Sequence, residues 1–556
     1  MTTLDLLPLA EPAVLSFDDV AIRLHPTDDV AIAKVSLAAG TILLQPLSTS
    51  ADIKVSSLIP SGHKFAIREV KQGRPVRRYG QVIGFATRDI AIGEHVHVHN
   101  LAVGVETRDR ESLQTRFDQD YAFGADVRPV AFVLEAKRRQ FMGYRRADGR
   151  VGTRNYIAVI GTVNCSAHTV RRIAHHFTAE LLSGFPNVDG VIAIAHGFGC
   201  ATRVGGDDYT LLQRTLAGMA AHPNVGGYVL VGLGCEVNQI SALVENYHLT
   251  AKEAPALHRL NHQSSPAHHP PLSPPSLTIQ DAGGVRKTIE AGIALVKELL
   301  PVVNQYRREP VPISELTIAL QCGGSDGWSG VTANPVLGMV SDEIVRQGGS
   351  VVLAETPEIY GAEHLLTRRA ISREVGEKLI RKIHWWEQHA AKHGVEIDNN
   401  PSHGNKAGGL TTIYEKSLGA VAKAGTTPLV DVVDYAEPIT HKGFTFMDTP
   451  GYDPVGATGQ VAGGCNLIVF TTGRGSCFGF KPAPSIKVVS NSATYRRMEE
   501  DMDINAGKVL EGVPMQVVAD ELLDYLIEVA SGRPSKSEAQ GIGEEEFQPW
   551  NLGGIL

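Results

Sequence analysis

The sequence predicts an α/β protein: a small all-β domain at the N-terminus, followed by two α/β portions with mainly parallel sheets. Three observations predict it. The apolar runs IAVIGTVNC, VIAIAHGFGC and YVLVGLGC end on Cys165, Cys200 and Cys235, an even 35 residues apart (200 − 165 and 235 − 200). Helical stretches such as TVRRIAHHFTAELL and DYTLLQRTLAGMAAH alternate with them, as in parallel βαβ units. Ahead of them, short alternating runs are divided by Gly and Pro, the mark of a β-rich module.

Taken in order, residues 14–103 carry those short runs (DVAIAKVSLAAG, FAIREV, GQVIGFATRDI, EHVHVHN) and form the β domain. Residues 104–140 are polar and weakly patterned, so they connect. The first α/β domain spans 141–305, interrupted by a Pro- and Ser-rich loop at 262–277 whose His262, His268 and His269 are expected to be solvated. A second α/β domain spans 306–535, with strands at LTIALQC, SVVLAE, FTFMDT and LIVFTTG and a long helix at SREVGEKLIRKIHWWEQHAAKHG. Residues 536–556 read as an extended surface tail.

Composition narrows the function. A chain of 556 residues with 43 % hydrophobic residues, 20 % charged residues and net charge −8 offers no nucleic-acid or membrane surface, so a small-molecule substrate is expected. No apolar stretch approaches the roughly 20 residues of a membrane helix. Six cysteines and a first segment, MTTLDLLPLAEP, without signal-peptide character point to the reducing cytoplasm. Enzymes of this size often assemble symmetrically, so a homo-oligomer is expected.

The cysteines end strands, where ligands bind in open α/β sheets, and soft thiolates select iron–sulfur clusters or zinc. Cys165, Cys200 and Cys235 are therefore candidate metal ligands, with Cys322 at the end of LTIALQC as an alternative. The competing reading is three small hydrophobes, each packed in its own core. Glycine-rich turns (HGFGC, GLGCE, QCGGSDGWSG, TTGRGSCFG) suit anion binding but match neither the dinucleotide nor the phosphate-loop fingerprint. In TTGRGS, Arg474 can pair both oxygens of a substrate carboxylate. The alternating histidines of EHVHVHN would share one face of a strand, and His25, His63 and Lys64 could serve proton abstraction. Lys406 and Thr411, like Asp501, Asp503 and Asn505, lie in polar loops able to bind hydroxyls.

The stretches GYRRADGRVGTRNYIAV, TVNC, HGFGC, GLGCE, QCGGSDGWSGVTANPVLG, ETPEIYGAEHLLTRRA, GNKAGGLTTIYEKSLG, FTTGRGS and DMDINAG resemble the altronate and galactarate dehydratase family, through most of the chain. The β domain is similar to that family's SAF-type module, and EHVHVHN is closer to the altronate branch. Asp29 stands where the family usually has Asn, Ala201 where Gly is common, and the stretch around Pro270 resembles an insertion.

The resemblance implies loss of water from an aldonate or aldarate to a 2-keto-3-deoxy acid, with Fe(II) or Mn(II). Galactarate or another 2-hydroxy acid is the alternative substrate, and a non-catalytic sugar-acid binding protein the alternative class. Candidate catalytic residues are His25, His63, Lys64 and His196; candidate substrate-binding residues are Arg474, Lys406, Ser325, Asp326 and Asn334. The metal is expected as an iron–sulfur cluster on Cys165, Cys200 and Cys235, or as a mononuclear Fe(II) using His25 and His63.

Overall fold

The computed structural model describes residues 12–45, 52–104, 121–252 and 273–553. His262, His268 and His269 lie outside them, as do residues 262–272 of the Pro-rich loop and 105–120 of the connecting segment.

The β domain is built from three small sheets, two of them antiparallel. Its strand Val30–Ala33 is buried on both faces, which explains its unbroken apolar pattern. Ala31 and Ala33 face the domain's own core with Phe17, Leu43 and Phe65. Val30 instead joins Ala66, Val76, Ile83 and Leu101 in the core of the C-terminal domain, and Ile32 packs on Trp328. The domain is thus cemented to its neighbour by apolar burial, the dominant favourable term in such contacts.

In the second domain, β1 (Tyr156–Gly161), β2 (Gly190–Ile194), β3 (Val225–Gly232) and β4 (Ser276–Thr278) form a parallel sheet in the order β2-β1-β3-β4. Successive side chains of a strand point to opposite faces, so each strand feeds two cores. Ile157, Val159, Val229 and Val231 pack under α1 (Ala167–Ala174) and α2 (Val285–Val303). Ala158, Ile160, Tyr228 and Leu230 share the opposite core with Ala319, Val352, Val455 and Phe470 of the C-terminal domain. The strands Gln140–Arg145 and Arg308–Pro312 pair antiparallel and bracket the second domain at its two ends.

The C-terminal sheet has seven parallel strands: β5 (Thr317–Cys322), β6 (Ser350–Leu353), β7 (Leu429–Val433), β8 (Gly443–Met447), β9 (Leu467–Thr472), β10 (Ser485–Val489) and β11 (Ile504–Asn505). Their order is β7-β8-β6-β5-β9-β10-β11. From β5 the chain lays β6, β7 and β8 on one side, then returns to build from β9 on the other. The crevice between β5 and β9 is therefore the topological switch point, where open α/β sheets bind ligands. Strands β5, β6, β8 and β9 are those expected from sequence; the additional β7 and β10 carry Asp431 and Lys487, which break their apolar runs.

The tail corrects an expectation. It is not simply extended: Ser535 opens a short helix, Lys536–Ala539, through a capping box, and Phe547 is buried in the core shared by the two α/β domains. Further on, Trp550 stacks on Trp386 with ring centroids 5.4 Å apart. Among the described residues, no helix is long and apolar enough to cross a membrane.

Candidate active site

At the switch point the chain leaves β5 through GGSDGW. Gly324 takes a φ of +63°, a conformation that glycine adopts without strain. Asp326 is buried, and its Oδ1 accepts from the backbone N–H groups of Trp328 and Ser329 and from the hydroxyls of Ser329 and Ser490. Its Oδ2 accepts from Asn491. Burial still raises the pKa of this carboxyl. Asp326 therefore braces the turn from β5 against the segment after β10.

The β domain closes over this crevice. Lys64, fully buried, donates to Gly409 O (2.6 Å) and to Glu415 (2.9 Å), and Arg78 pairs with the same carboxylate. Burial pushes the Glu415 carboxyl up, but Lys64 and Arg78 outweigh it and hold the pKa down at about 2. Burial lowers Lys64 to about 8. This is a buried ion-pair network holding two domains together.

Next to Lys64 the histidines gather. His63 Nδ1 lies 3.1 Å from His95 Nε2, and the rings of His95 and His97 stack with centroids 5.3 Å apart. The strand expected through EHVHVHN ends at Val96; a turn braced by Asn100 brings His97 and His99 back beside His95. His63 Nε2 contacts Ala407 O, and His97 Nε2 contacts Lys406 O, so the cluster faces the 403–409 segment of the C-terminal domain. Burial, with the charge of Lys64 and the neighbouring rings, lowers His63 to about 4. Burial and the adjacent imidazoles lower His95 to about 3. At neutral pH these imidazoles are uncharged and can accept protons.

The substrate-binding candidates line the same crevice. Arg474 is exposed, its guanidinium is unpaired among the described residues, and a Cβ on Gly408 would lie 3.3 Å from its Cδ and 2.9 Å from Asp326 Cβ. Ser325 accepts through its carbonyl from Asn405, the residue immediately before the half-buried Lys406. Asn334 is buried behind the turn, with both ends of its amide used by Gly419 and Thr471. The crevice thus gathers His63, Lys64, Lys406, Ser325, Asp326 and Arg474. His25 is placed otherwise: it is bonded to Thr27, and no hydrogen bond or ring contact joins it to His63. His196 lies in the second domain, with Nε2 on Gly161 O (2.9 Å) and Nδ1 accepting from Phe198 N. Both ring nitrogens there serve the loop.

Sequence reasoning named Cys322 as an alternative ligand but missed the buried polar centre it joins at the ends of β5 and β6. Cys322, Glu355 and Glu358 place one ligand atom each within 4.8 Å of one another, the sole such group among the described residues. Lys423 donates to Cys322 Sγ (2.9 Å), and Lys416 donates to Glu358 (2.7 Å). Burial, then the charge of Glu358, pushes Asp453 up to about 7, and burial pushes the Cys322 thiol up to about 12. Glu355 sits at φ +69°, and neither of its buried carboxylate oxygens has a hydrogen-bond partner. Glu415 and Lys416 are consecutive in the helix Ile413–Val421 (α3), so one helix turn serves both the interdomain network and this centre. ETPEIYG carried the signal: two carboxylates three residues apart directly after a strand end.

Cys165, Cys200 and Cys235 follow the carboxyl ends of the adjacent strands β1, β2 and β3. Cys165 and Cys235 are exposed, Cys200 is half-buried, and all are free thiols. The reading in which each packs in a core therefore does not hold.

Comparison with known proteins agrees with this architecture. The described family models cover the β domain (altronate/galactarate dehydratase SAF domain, residues 19–104), the second domain (D-galactarate dehydratase/altronate hydrolase, residues 143–304) and the C-terminal domain (D-galactarate/altronate dehydratase, residues 313–555). Altronate dehydratase of Bacillus subtilis is 36 % identical over 92 % of this chain and 95 % of its own length. Galactarate dehydratase (L-threo-forming) of Escherichia coli is 35 % identical over 92 % of this chain and 93 % of its own. The β subunit of (2R)-sulfolactate sulfo-lyase from Chromohalobacter salexigens is 31 % identical over 74 % of this chain and 98 % of its own, while that enzyme's α subunit matches 82 residues. With three domain models in register along the chain and such relatives over nearly its whole length, this protein belongs to the altronate/galactarate dehydratase family.

Proposed function

We propose that this hydro-lyase removes water from a sugar acid, altronate first, to give a 2-keto-3-deoxy acid. The observation that carries the reading is the juxtaposition of uncharged imidazoles (His63, His95, His97) with an unpaired guanidinium (Arg474) and Lys406 at the β5/β9 crevice. Arg474 pairs with the substrate carboxylate and orients C2 towards the histidines. An imidazole of this cluster takes the C2 proton, the C2–H electron pair becomes the C2=C3 bond, and the C3–O bond breaks. The departing hydroxyl leaves as water with the proton held on the imidazole, and the enol becomes the ketone.

Carbanion character at C2 needs electrostatic support. The Fe(II) or Mn(II) implied by the resemblance fits Cys322, Glu355 and Glu358, because the Glu355 oxygens are buried without hydrogen-bond partners and three ligand atoms converge. Bound there, the metal would supply Lewis-acid stabilisation of negative charge. The free cysteines favour a reducing compartment, the cytoplasm.

The test is an anaerobic assay with Fe(II) or Mn(II), offering altronate, galactarate and a 2-hydroxy acid without further hydroxyls, with 2-keto acid as the readout. Turnover of altronate ahead of galactarate supports the reading. Tight binding of altronate without product points to a sugar-acid binding protein instead.

A further inference from the structure

We infer that Cys165, Cys200 and Cys235 hold an iron–sulfur cluster in the second domain, a metal centre separate from the Cys322–Glu355–Glu358 group. The three loops that carry these thiols are tied to one another. Asn164 N donates to Phe198 O (2.7 Å), joining the first loop to the second, and Asn238 N donates to Gly199 O (3.0 Å), joining the second to the third. Thr162 Oγ1 donates to Glu236 (2.9 Å), closing the ring from third to first. The matched strand register contributes as well: Gly161 pairs with Val231, and Cys165 and Cys235 each follow four residues later (165 − 161 and 235 − 231). Three thiols therefore crown three neighbouring strands in one braced loop cluster.

Exposure separates these cysteines from Cys322 and Cys465. Cys322 and Cys465 are buried, as small hydrophobes usually are, whereas the trio is exposed or half-exposed. Exposed thiolates are reactive and are tolerated where they are used. Gln280 Nε2 donates to Cys235 Sγ (3.3 Å), a contact that tunes cluster sulfurs when one is bound.

Spacing argues against a single ion on the three thiols. Three thiolates at about 2.3 Å from one zinc would lie about 3.8 Å apart. The trio does not come within 4.8 Å as a group. A polynuclear iron–sulfur core bridges such wider separations, with three cysteine ligands leaving one iron to a non-cysteine ligand. His196, with both ring nitrogens spent on Gly161 and Phe198, is a positioning residue for the Cys200 loop.

The test purifies the full chain anaerobically and measures iron, acid-labile sulfide and visible absorption. Iron and sulfide in equal amounts, lost in Cys200→Ser and kept in Cys477→Ser, are expected. Thermal unfolding of each variant shows that the fold survives. As a second measurement on the wild type, thiol alkylation should spare all three cysteines until the iron is removed. Iron without sulfide, sulfide unchanged in Cys165→Ser, Cys200→Ser and Cys235→Ser, zinc in place of iron, or free alkylation of the native protein would each overturn the inference. Dehydration by a sulfide-free protein would overturn a catalytic need for the cluster while leaving the dehydratase reading intact.

Discussion

Glu415 is the residue on which closure of the β domain turns, because it accepts from two cations of another domain while fully buried. Replacing it by Gln leaves Lys64 and Arg78 buried with half their pairing, and a loss of about 3–5 kcal/mol in urea unfolding is expected. Its pKa falls from 4.5 unfolded to about 2 folded, so its stabilisation is complete above pH 4.5 and disappears as pH drops towards 2. The histidines add to this at milder pH. Folded values of about 4 for His63 and about 3 for His95, against 6.5 unfolded, mean that the unfolded chain binds more protons below pH 6.5. Stability should therefore begin to fall below pH 6.5, and His63→Gln should flatten the curve between pH 6.5 and 4 in a melting series. Arg474 supplies a catalytic readout: Arg474→Ala is expected to raise KM for altronate at least about tenfold with a smaller change in kcat. An unchanged KM would remove it from the carboxylate site. Glu355→Gln should weaken Mn(II) binding at least about tenfold, read by metal titration of the full chain.

At the scale of elements, function is arranged by strand ends and the loops that follow them. The 403–409 segment meets the β domain so closely that a Cβ on Gly409, at φ +101°, would lie 2.5 Å from Gly62 O. Gly409→Ala must push the two segments apart and move His63 away from Ala407 and His97 away from Lys406. The expected result is a drop in kcat/KM of at least about tenfold, since small misplacements at a reacting centre are costly. Circular dichroism should report an intact fold, because the substitution touches neither apolar core. Wild-type activity in this variant would show that the β domain does not contribute to the site.

For the whole molecule, the interfaces are built from apolar cores shared between domains. Val30, Ala66 and Ile83 of the β domain share one core with the C-terminal sheet, and the two α/β sheets share another. The tail fastens the second interface: Arg154 forms two hydrogen bonds with Glu538, and Phe547 is buried beside His196. Two experiments follow. Chains split between residues 104 and 121 and expressed together should reassociate and recover activity, because the two parts share an apolar core and the buried Lys64–Glu415–Arg78 network. Chains ending at Ser535 should unfold in two transitions instead of one, seen by calorimetry, because the clamp between the α/β domains is gone.

The amino-acid sequence alone discloses the three-part organisation, the parallel strands and the strand-end position of the cysteines, because those depend on local period and on turn residues. His63, Lys64 and Arg474 were nameable for the same reason: their chemistry and turn-like surroundings are local. The buried Glu355 and Glu358 stayed unread as ligands, since two glutamates in a loop look solvated until packing removes their water. The meeting of His63 with Ala407, Lys64 with Glu415, and Asp326 with Asn491 spans up to 351 positions of sequence (415 − 64). Such pairings arise when apolar faces of separate domains bury one another and carry polar groups along with them. Sequence period determines which residues stand at strand ends, whereas only tertiary packing decides which ends face each other and which charges lose their water.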